Sequence, residues 1–505
     1  MKSFFALVPV VFFLISCDQS KRPTHPNILF IAVDDMNDWI GPLGGLEIAK
    51  TPNLDRLAAQ STVFTNAHCA SPACAPSRLS IMTGVQPSKT GVMKNVWYDG
   101  PQWRKVPILK EVETIEQFFK NRGYKTLGGG KLYHSLAPPW LITNQAEPES
   151  WDFYFPSAHV PMPYQVRAKE AVIRPDHFIG ERHPFFTWGP LEVTDQKMSD
   201  YQVVDWARYE LTKDHEKPFY LACGIFRPHM PWEVPQKYFD MYPLEQIPDL
   251  DIREDDLSDA FGHGRRLWHK FVLDNQQWKH VIQAYLASIT FADVQIGRLL
   301  HGLEQSAYKD NTIIVLWADH GMHIGEKENW EKFTLWEEST RVPFFVKVPG
   351  IKQVAESGVP VSLLDIYPTL AESAGFEVPT HCDGQSVLAE MKGESPIRSH
   401  SALTSFQFDK EVTGHSLRSL THRYIYYTGL HLEELYDHNQ DPNEFHNLAY
   451  DPAHQSTLEK FRQEILQRVE GLSEANIKQF PKGYVLEGGR ISKQNFQPTH
   501  QLTYE

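Results

Sequence analysis

Apolar runs that stop abruptly on charged or imidazole-bearing residues recur along this chain, and they restrict its fold more than any other feature. Asn27-Ile28-Leu29-Phe30-Ile31-Ala32-Val33 shows no polar alternation and is followed at once by Asp34-Asp35. Tyr124 to Leu127 leads through Gly128-Gly129-Gly130 to Lys131 and His134, and Pro218 to Phe226 leads to Arg227-Pro228-His229. Thr312 to Trp317 closes in Asp319-His320. A strand apolar on both faces is satisfied only inside a sheet covered on both sides, the habit of parallel sheets with crossover helices. The covers fall between the runs. Thr51-Pro52-Asn53 leads into Leu54, Leu57 and Ala58, while Ile115, Phe118 and Phe119 share a face. Trp278 to Leu303 carries Ile282, Tyr285, Leu286, Ile289, Ile296, Leu299 and Leu300 near helical spacing and reads as core packing, not as a site. Ligands of open α/β sheets gather beyond the carboxyl ends of strands. The polar clusters here all stand at those ends.

At 505 residues the chain exceeds one ordinary core. A second unit begins after Ser362 to Leu370, where Ala402 to Gln407, Ser416 to Leu420 and Arg423 to Thr428 read as short strands and Ser456 to Val469 as a helix. This is a small α+β unit whose antiparallel sheet is able to extend the first sheet. Pro138 to about Pro190 is rich in proline and aromatics with little periodicity, which reads as an insertion facing a ligand.

Lys2 precedes an apolar run from Phe4 to Ile15, short for a bilayer and the right length for a signal peptide. Leu14-Ile15-Ser16-Cys17 resembles a bacterial lipobox, with Cys17 the acylated first residue of the mature chain; an ordinary secretory signal is the alternative. The expected division is 1–16 signal peptide, 17–25 tether, 26–385 main domain and 386–505 C-terminal subdomain. The expected location is the cell envelope, lipid-anchored in the periplasm or on the outer-membrane surface, with no other membrane contact. If two of the five cysteines, Cys17 and Cys74, carry modifications, Cys69, Cys223 and Cys382 are left, so at most one internal disulfide. The net charge of −14 argues against a nucleic-acid partner and means that an anionic substrate must be drawn by a local basic cluster.

Cys74-Ala75-Pro76-Ser77-Arg78, followed by Leu79 to Gly84, sets a cysteine where a loop turns into a helix, with Pro76 suited to the first helical position. The helix start favours an anion before Cys74, and Arg78 lies one turn along the same face, within reach of it. Asp34, Asp35 and Asp319 place three carboxylates at neighbouring strand ends beside His320, an arrangement that calls for a cation. Oxygen ligands suit Ca²⁺ or Mg²⁺; the competing arrangement takes His320 and His323 as nitrogen ligands of zinc. Lys131, His134, His229 and Lys332 add two lysines and two imidazoles, able to neutralise an anion's oxygens and move a proton.

Taken in order, Val33-Asp34-Asp35, Cys74 to Arg78, Gly130-Lys131-Leu132-Tyr133-His134, Arg227-Pro228-His229, Asp319-His320-Gly321, Gly325-Glu326 and Trp330-Glu331-Lys332 resemble the type I, formylglycine-dependent sulfatases. Within them the likeness is greatest to the iduronate-2-sulfatase group and its bacterial relatives. The resemblance implies an alkaline-phosphatase-like α/β sandwich, a large mostly parallel sheet between helices, plus a smaller C-terminal α+β domain with an antiparallel sheet. It implies an exported sulfuric ester hydrolase acting on sulfated oligosaccharides or polysaccharides. The expected substrates are 2-O-sulfated uronic acids or related sugars of glycosaminoglycans, or algal polysaccharides such as ulvan, attacked from chain ends. A formylglycine-generating enzyme would convert Cys74 to formylglycine (3-oxoalanine), whose hydrate supplies the nucleophile. Asp34, Asp35, Asp319, His320 and residue 74 would hold one Ca²⁺. Arg78 would stabilise the hydrate, Lys131 and Lys332 would grip sulfate, His229 would protonate the leaving sugar oxygen and His134 would assist sulfate release.

Met82 and Val85 depart from the leucine and arginine that the family often carries in the auxiliary part of the modification signal, and the human-type disulfide pattern is absent. Selectivity is expected in Trp97 to Arg104, with Trp103 stacking on a sugar and Arg104 meeting a carboxylate, and in the Pro138 to Pro190 stretch; surface loops packed on their own aromatics are the equal alternative. Two other functions fit the same residues. One is a phosphonate or phosphate monoester hydrolase of the same superfamily; the other is a lipid-anchored, non-catalytic glycan-binding protein with an unmodified cysteine.

Overall fold

Every residue of the strand Asn27–Asp34 is buried, because parallel neighbours flank it on both sides, Thr312–Ala318 and Phe219–Pro228. Each Ile, Leu, Phe or Val side chain fully buried there contributes roughly 1.5–3 kcal/mol, which is why the most apolar run takes the sheet's centre. Lys125–Gly130 pairs parallel with Phe219–Pro228, and Phe153–Phe155 adds a parallel edge. On the other flank Phe344–Lys347 runs antiparallel to both Thr312–Ala318 and Thr62–Phe64, and Glu356–Ser357 closes the sheet. The eight-stranded sheet is therefore mixed but mostly parallel. This computed structural model describes residues 25–96, 102–134, 148–156, 172–173, 186–249, 253–262, 266–394, 401–488 and 490–496. The lipobox with Cys17, the loop 97–101 and most of the Pro138 to Pro190 stretch lie outside the described residues.

The predicted helices form at Pro52–Ala58, Ile115–Asn121 and Trp278–Glu304. Thr114 and Gln117 close a capping box on the second, satisfying two N–H groups that the helix itself leaves unpaired. The third helix, 27 residues long, packs on Phe219–Pro228 and on the neighbouring helix Ser199–Leu211. Among the described residues no helix is long and apolar enough to cross a membrane.

Two expectations need correction. The Pro138 to Pro190 stretch is not wholly an insertion: Phe153–Phe155 belongs to the main sheet, and Thr187–Leu191 joins a smaller sheet with Val172–Ile173 and Trp232–Pro235. Nor does the C-terminal sheet extend the first. Ala402–Gln407, Thr413–Arg418, His422–Tyr427 and Leu432–Asp437 form a separate four-stranded antiparallel sheet, backed by the helix Gln455–Arg468 through Leu458, Phe461 and Ile465. It docks by its edge, with the Ser405 N–H donating to the Ala70 carbonyl at 2.9 Å and the Thr404 hydroxyl to Cys69 O at 2.6 Å. The fourth strand escaped the sequence reading because Glu433 and Glu434 interrupt its apolar pattern. Both are buried, Glu433 by Tyr424 and Arg462 and Glu434 by Trp336 and Tyr436. Cys69, Cys74, Cys223 and Cys382 are all free thiols.

Candidate functional site

Because the central strands run parallel, their carboxyl ends lie side by side, and Asp34, Lys131, His229 and Asp319 meet at one edge of the sheet. A register shift between Val33 and Asp34 turns the first carboxylate out of the ladder. Asp35 then adopts the left-handed region, φ 60°, a strained conformation that Asp tolerates better than most residues. The strands carrying Lys131 and His229 approach too closely for side chains. A Cβ on Gly130, φ 76°, would sit 1.9 Å from the Gly224 carbonyl oxygen. Cys74 opens the helix Cys74–Thr83 as its first residue, so Pro76 stands third, not first. Its missing N–H still costs nothing, since the first intrahelical bond is Ser77 N–H to Ala73 O. Ala73 offers no side-chain cap; the Asn95 amide oxygen accepts the Ala75 N–H at 2.9 Å instead.

The Cys74 sulfur is ringed by cationic groups: Lys332 Nζ at 3.3 Å, His320 Nε2 at 3.3 Å and Lys131 Nζ at 3.8 Å, with the His134 imidazole acting on it as well. Burial alone would push the thiol up, yet Lys131, Lys332, His320 and His134 together hold it well below its usual range. The position is built to carry negative charge. Lys332 also donates to Asp35 Oδ1 at 2.7 Å, and Lys131 bonds Asp34 Oδ2. Burial opposes charge on Lys332, but Asp35, Cys74 and Asp34 keep it protonated far above its usual range. Asp34 is held low against burial by Lys131 and Arg78, whereas Asp319, facing Arg78 but no lysine, is pushed up to about 7 by burial. His320 rises to about 9, because Asp319 and Cys74 outweigh its burial.

Arg78, placed near the anion position by its helical register, also ties the strand ends together. Its Nε donates to Asp319 Oδ2 at 2.8 Å, Nη2 to Asp34 Oδ1 at 3.1 Å and Nη1 to Lys131 O at 2.5 Å, so it braces three strand ends. His229 gives Nδ1 to the Met230 carbonyl at 2.5 Å, which leaves Nε2 turned toward Asp35 Oδ2 at 3.8 Å and able to exchange a proton. Asp34, Asp35, Cys74 and His320 bring one ligand atom each within 4.8 Å of one another. Asp35 Oδ2 is buried with no hydrogen-bond partner, which fits a cation in that space. Of these four donors, the three besides sulfur are carboxylate oxygen or imidazole nitrogen, and replacing the sulfur by oxygen would make the set mostly oxygen, as a hard divalent ion prefers. Asp319 stands just behind this set: Oδ1 accepts the Asp35 and His320 N–H groups, both at 3.1 Å. The zinc arrangement fails at His323, whose Nδ1 bonds Glu326 O and whose Nε2 bonds Thr334 Oγ1 at 2.7 Å, and which burial pushes down to about 3.

The predicted sugar contacts are corrected as well. Trp103 is 1% exposed, and Arg104 stacks on it while donating to the Leu109 and Val112 carbonyls and to Gln117. Both are consumed by packing. Sequence reasoning missed Asn95, which no local pattern links to the helix it caps. It also missed Asn329, whose amide holds the Glu331 and Lys332 carbonyls at 3.0 and 3.3 Å and so sets the Lys332 loop. Positive φ at Lys327, Glu328 and Phe333 marks that loop as strained.

The family profile described as Sulfatase matches residues 26–376, and one described as N-sulphoglucosamine sulphohydrolase, C-terminal, matches residues 325–471. The chain is 35% identical over 460 residues to a protein named sulfatase from Formosa agariphila, covering 88% of this chain and 86% of that one. It is 28% identical to human iduronate 2-sulfatase, covering 84% of this chain and 91% of the relative. Among solved structures, a 2-O GAG sulfatase aligns with a TM-score of 0.67 at 22% identity, over 90% of this chain and 97% of that one. The phosphonate monoester hydrolase of Silicibacter pomeroyi aligns at 0.70 and 20%, over 93% and 99%, so the fold is shared across both chemistries.

Proposed function

The chain belongs to the sulfatase family and is a sulfuric ester hydrolase; from that premise we propose that it removes sulfate from carbohydrates. The proposed substrates are 2-O-sulfated uronic acid or a related sugar at a chain end of a glycosaminoglycan or an algal polysaccharide such as ulvan. The observation that carries this reading is the buried position 74, ringed by Lys131, Lys332, His320 and His134 beside an unpartnered carboxylate oxygen. A formylglycine made from Cys74 would supply a hydrated aldehyde as nucleophile. Ca²⁺, held by Asp34, Asp35 and His320 with Asp319 behind them, would supply Lewis acidity and charge neutralisation.

The chain's own residues do the rest. Lys131 and Lys332 sit where sulfate oxygens must come if sulfur approaches residue 74, and they neutralise charge that grows in the transition state. Arg78 bridges Asp34 and Asp319 and offsets their mutual repulsion beside the hydrate it would stabilise. His229, its orientation fixed by the Met230 carbonyl, carries the proton for the departing sugar oxygen on Nε2. His134, beside residue 74, takes the proton that must leave it when sulfate is released. The N-terminal pattern ending at Cys17 supports action in the cell envelope, where polymeric substrates arrive from outside.

Defined oligosaccharides bearing 2-O, 6-O or N-sulfate, assayed for released sulfate with products located by NMR, test the reading. Release from the 2-O-sulfated uronate end is expected. A higher kcat/KM on a phosphonate monoester would transfer the enzyme to the alternative chemistry. An intact thiol at position 74 in the mature protein, seen by peptide mass, would leave only glycan binding.

A further inference from the structure

We infer that Tyr285 is a positioning residue for the cation site, because its hydroxyl ties the left-handed turn that aims Asp35. The inference rests on the cation reading proposed above. Tyr285 belongs to the long helix Trp278–Glu304, whose periodicity marks it as core, and it touches neither Cys74 nor any lysine of the site. Its ring is fully buried, edge-on to Trp39 at 5.8 Å and to Trp232 at 5.7 Å. Its hydroxyl donates to the Asp35 carbonyl at 2.8 Å and accepts the Asn37 N–H at 3.0 Å, spanning the turn with one oxygen.

Asp35 needs such a tie. A φ of 60° is not a side-chain-bearing residue's default and persists only where its surroundings over-determine it. The Asp35 N–H is held by Asp319 Oδ1 at 3.1 Å, and its carbonyl by Tyr285. Asn37 locks the far end, donating to the Met322 carbonyl at 3.1 Å while its Oδ1 accepts the Trp39 N–H at 3.0 Å. Lys332 takes Oδ1 of Asp35 and leaves Oδ2 without a hydrogen bond, with His229 Nε2 facing it at 3.8 Å. With the backbone pinned at both peptide groups, the Asp35 carboxylate stands in the ligand set without having to be recruited. Remove the hydroxyl, and the carbonyl of Asp35 is free to rotate and take the carboxylate with it. Groups that orient a metal ligand without touching the metal typically change affinity about 10- to 100-fold.

Tyr285→Phe keeps both ring contacts and removes one oxygen, so the variant folds, which its metal-free melting transition verifies. The test uses the mature protein stripped with chelator and titrated with Ca²⁺, following binding heat and Tm. The expected result is a Kd about tenfold weaker and a smaller Ca²⁺-induced rise in Tm. Tyr242→Phe is the control: that hydroxyl accepts the Lys50 N–H at 2.9 Å and meets Thr290 Oγ1 at 2.5 Å, away from the site. It should lower the metal-free Tm and leave the Ca²⁺ increment intact. An equal Tm loss with and without Ca²⁺ in Tyr285→Phe, at unchanged Kd, makes Tyr285 merely structural and overturns the inference while the cation site stands. A wild-type protein that binds no Ca²⁺ overturns both.

Discussion

Around Cys74, Asp34, Asp35 and Asp319 meet Arg78, Lys131 and Lys332; against the C-terminal sheet, Glu337 and Glu444 meet Arg418, Arg423 and His438. The first cluster is buried and the second partly so, and both bring acids and an imidazole within metal-binding distance. The second closes on itself. Glu337 Oε2 takes Arg418 and Arg423, Glu444 Oε1 takes Arg423 and His438 Nε2 at 2.8 Å, and Glu444 Oε2 accepts the Glu337 N–H at 2.9 Å. Two guanidinium groups fill the space an ion would need. The first cluster leaves Asp35 Oδ2 unpartnered and directs three cationic groups at one sulfur. A structural ion network spends its charges on itself; a site keeps some for its ligand.

The largest expected effect breaks the site and spares the network. Cys74→Ala should lower kcat/KM by about 10⁴-fold or more with Tm changed little, since Asp34 and Asp35 still pair Lys131 and Lys332; residual turnover above a hundredth of wild type would remove residue 74 from the chemistry. Arg423→Met should do the reverse. It strands Glu337 and Glu444, so denaturant unfolding should show a loss of about 3–5 kcal/mol, while kcat per folded molecule stays near wild type. A fall in kcat beyond the unfolded fraction would mean that the two clusters are coupled. Lys332→Ala should cut kcat about 10²- to 10³-fold in a protein that stays folded at the assay temperature, and equal activity would take Lys332 out of the site.

The smallest effect is in pH. Despite burial, Arg418 and Arg423 hold the Glu337 carboxyl well below its usual range, and Arg423 with His438 holds Glu444 at about 2. A depressed folded pKa gives stability that is complete above the unfolded value near 4.5 and is lost as pH falls toward 2. Denaturant midpoints measured between pH 5 and 3 should therefore decline, and Arg423→Met should flatten that slope. An unchanged slope would show that the network contributes no linkage.

Much of this was legible in the residues. The apolar runs of Asn27, Pro218 and Thr312 specified buried parallel strands, and a parallel sheet necessarily gathers its carboxyl ends, so Asp34, Lys131, His229 and Asp319 were bound to be neighbours. Local chemistry could not say how they pair. Arg78 has the right spacing to face an anion, and no local pattern shows that it also holds two carboxylates and a carbonyl. Trp103 and Arg104 look like a sugar platform yet are spent on packing. Tyr285 looks like core and reaches Asp35 across 250 residues of sequence.

The sequence by itself determined which elements form and which chemically capable residues share an edge, because hydrophobic periodicity and strand direction are local or topological properties. Only the tertiary structure decided which charges cancel and which remain for a ligand. Ion pairing and hydrogen bonding depend on separations of a few ångströms between groups hundreds of residues apart, and in a buried, weakly screened interior those separations decide whether a cluster stabilises the fold or waits for a substrate.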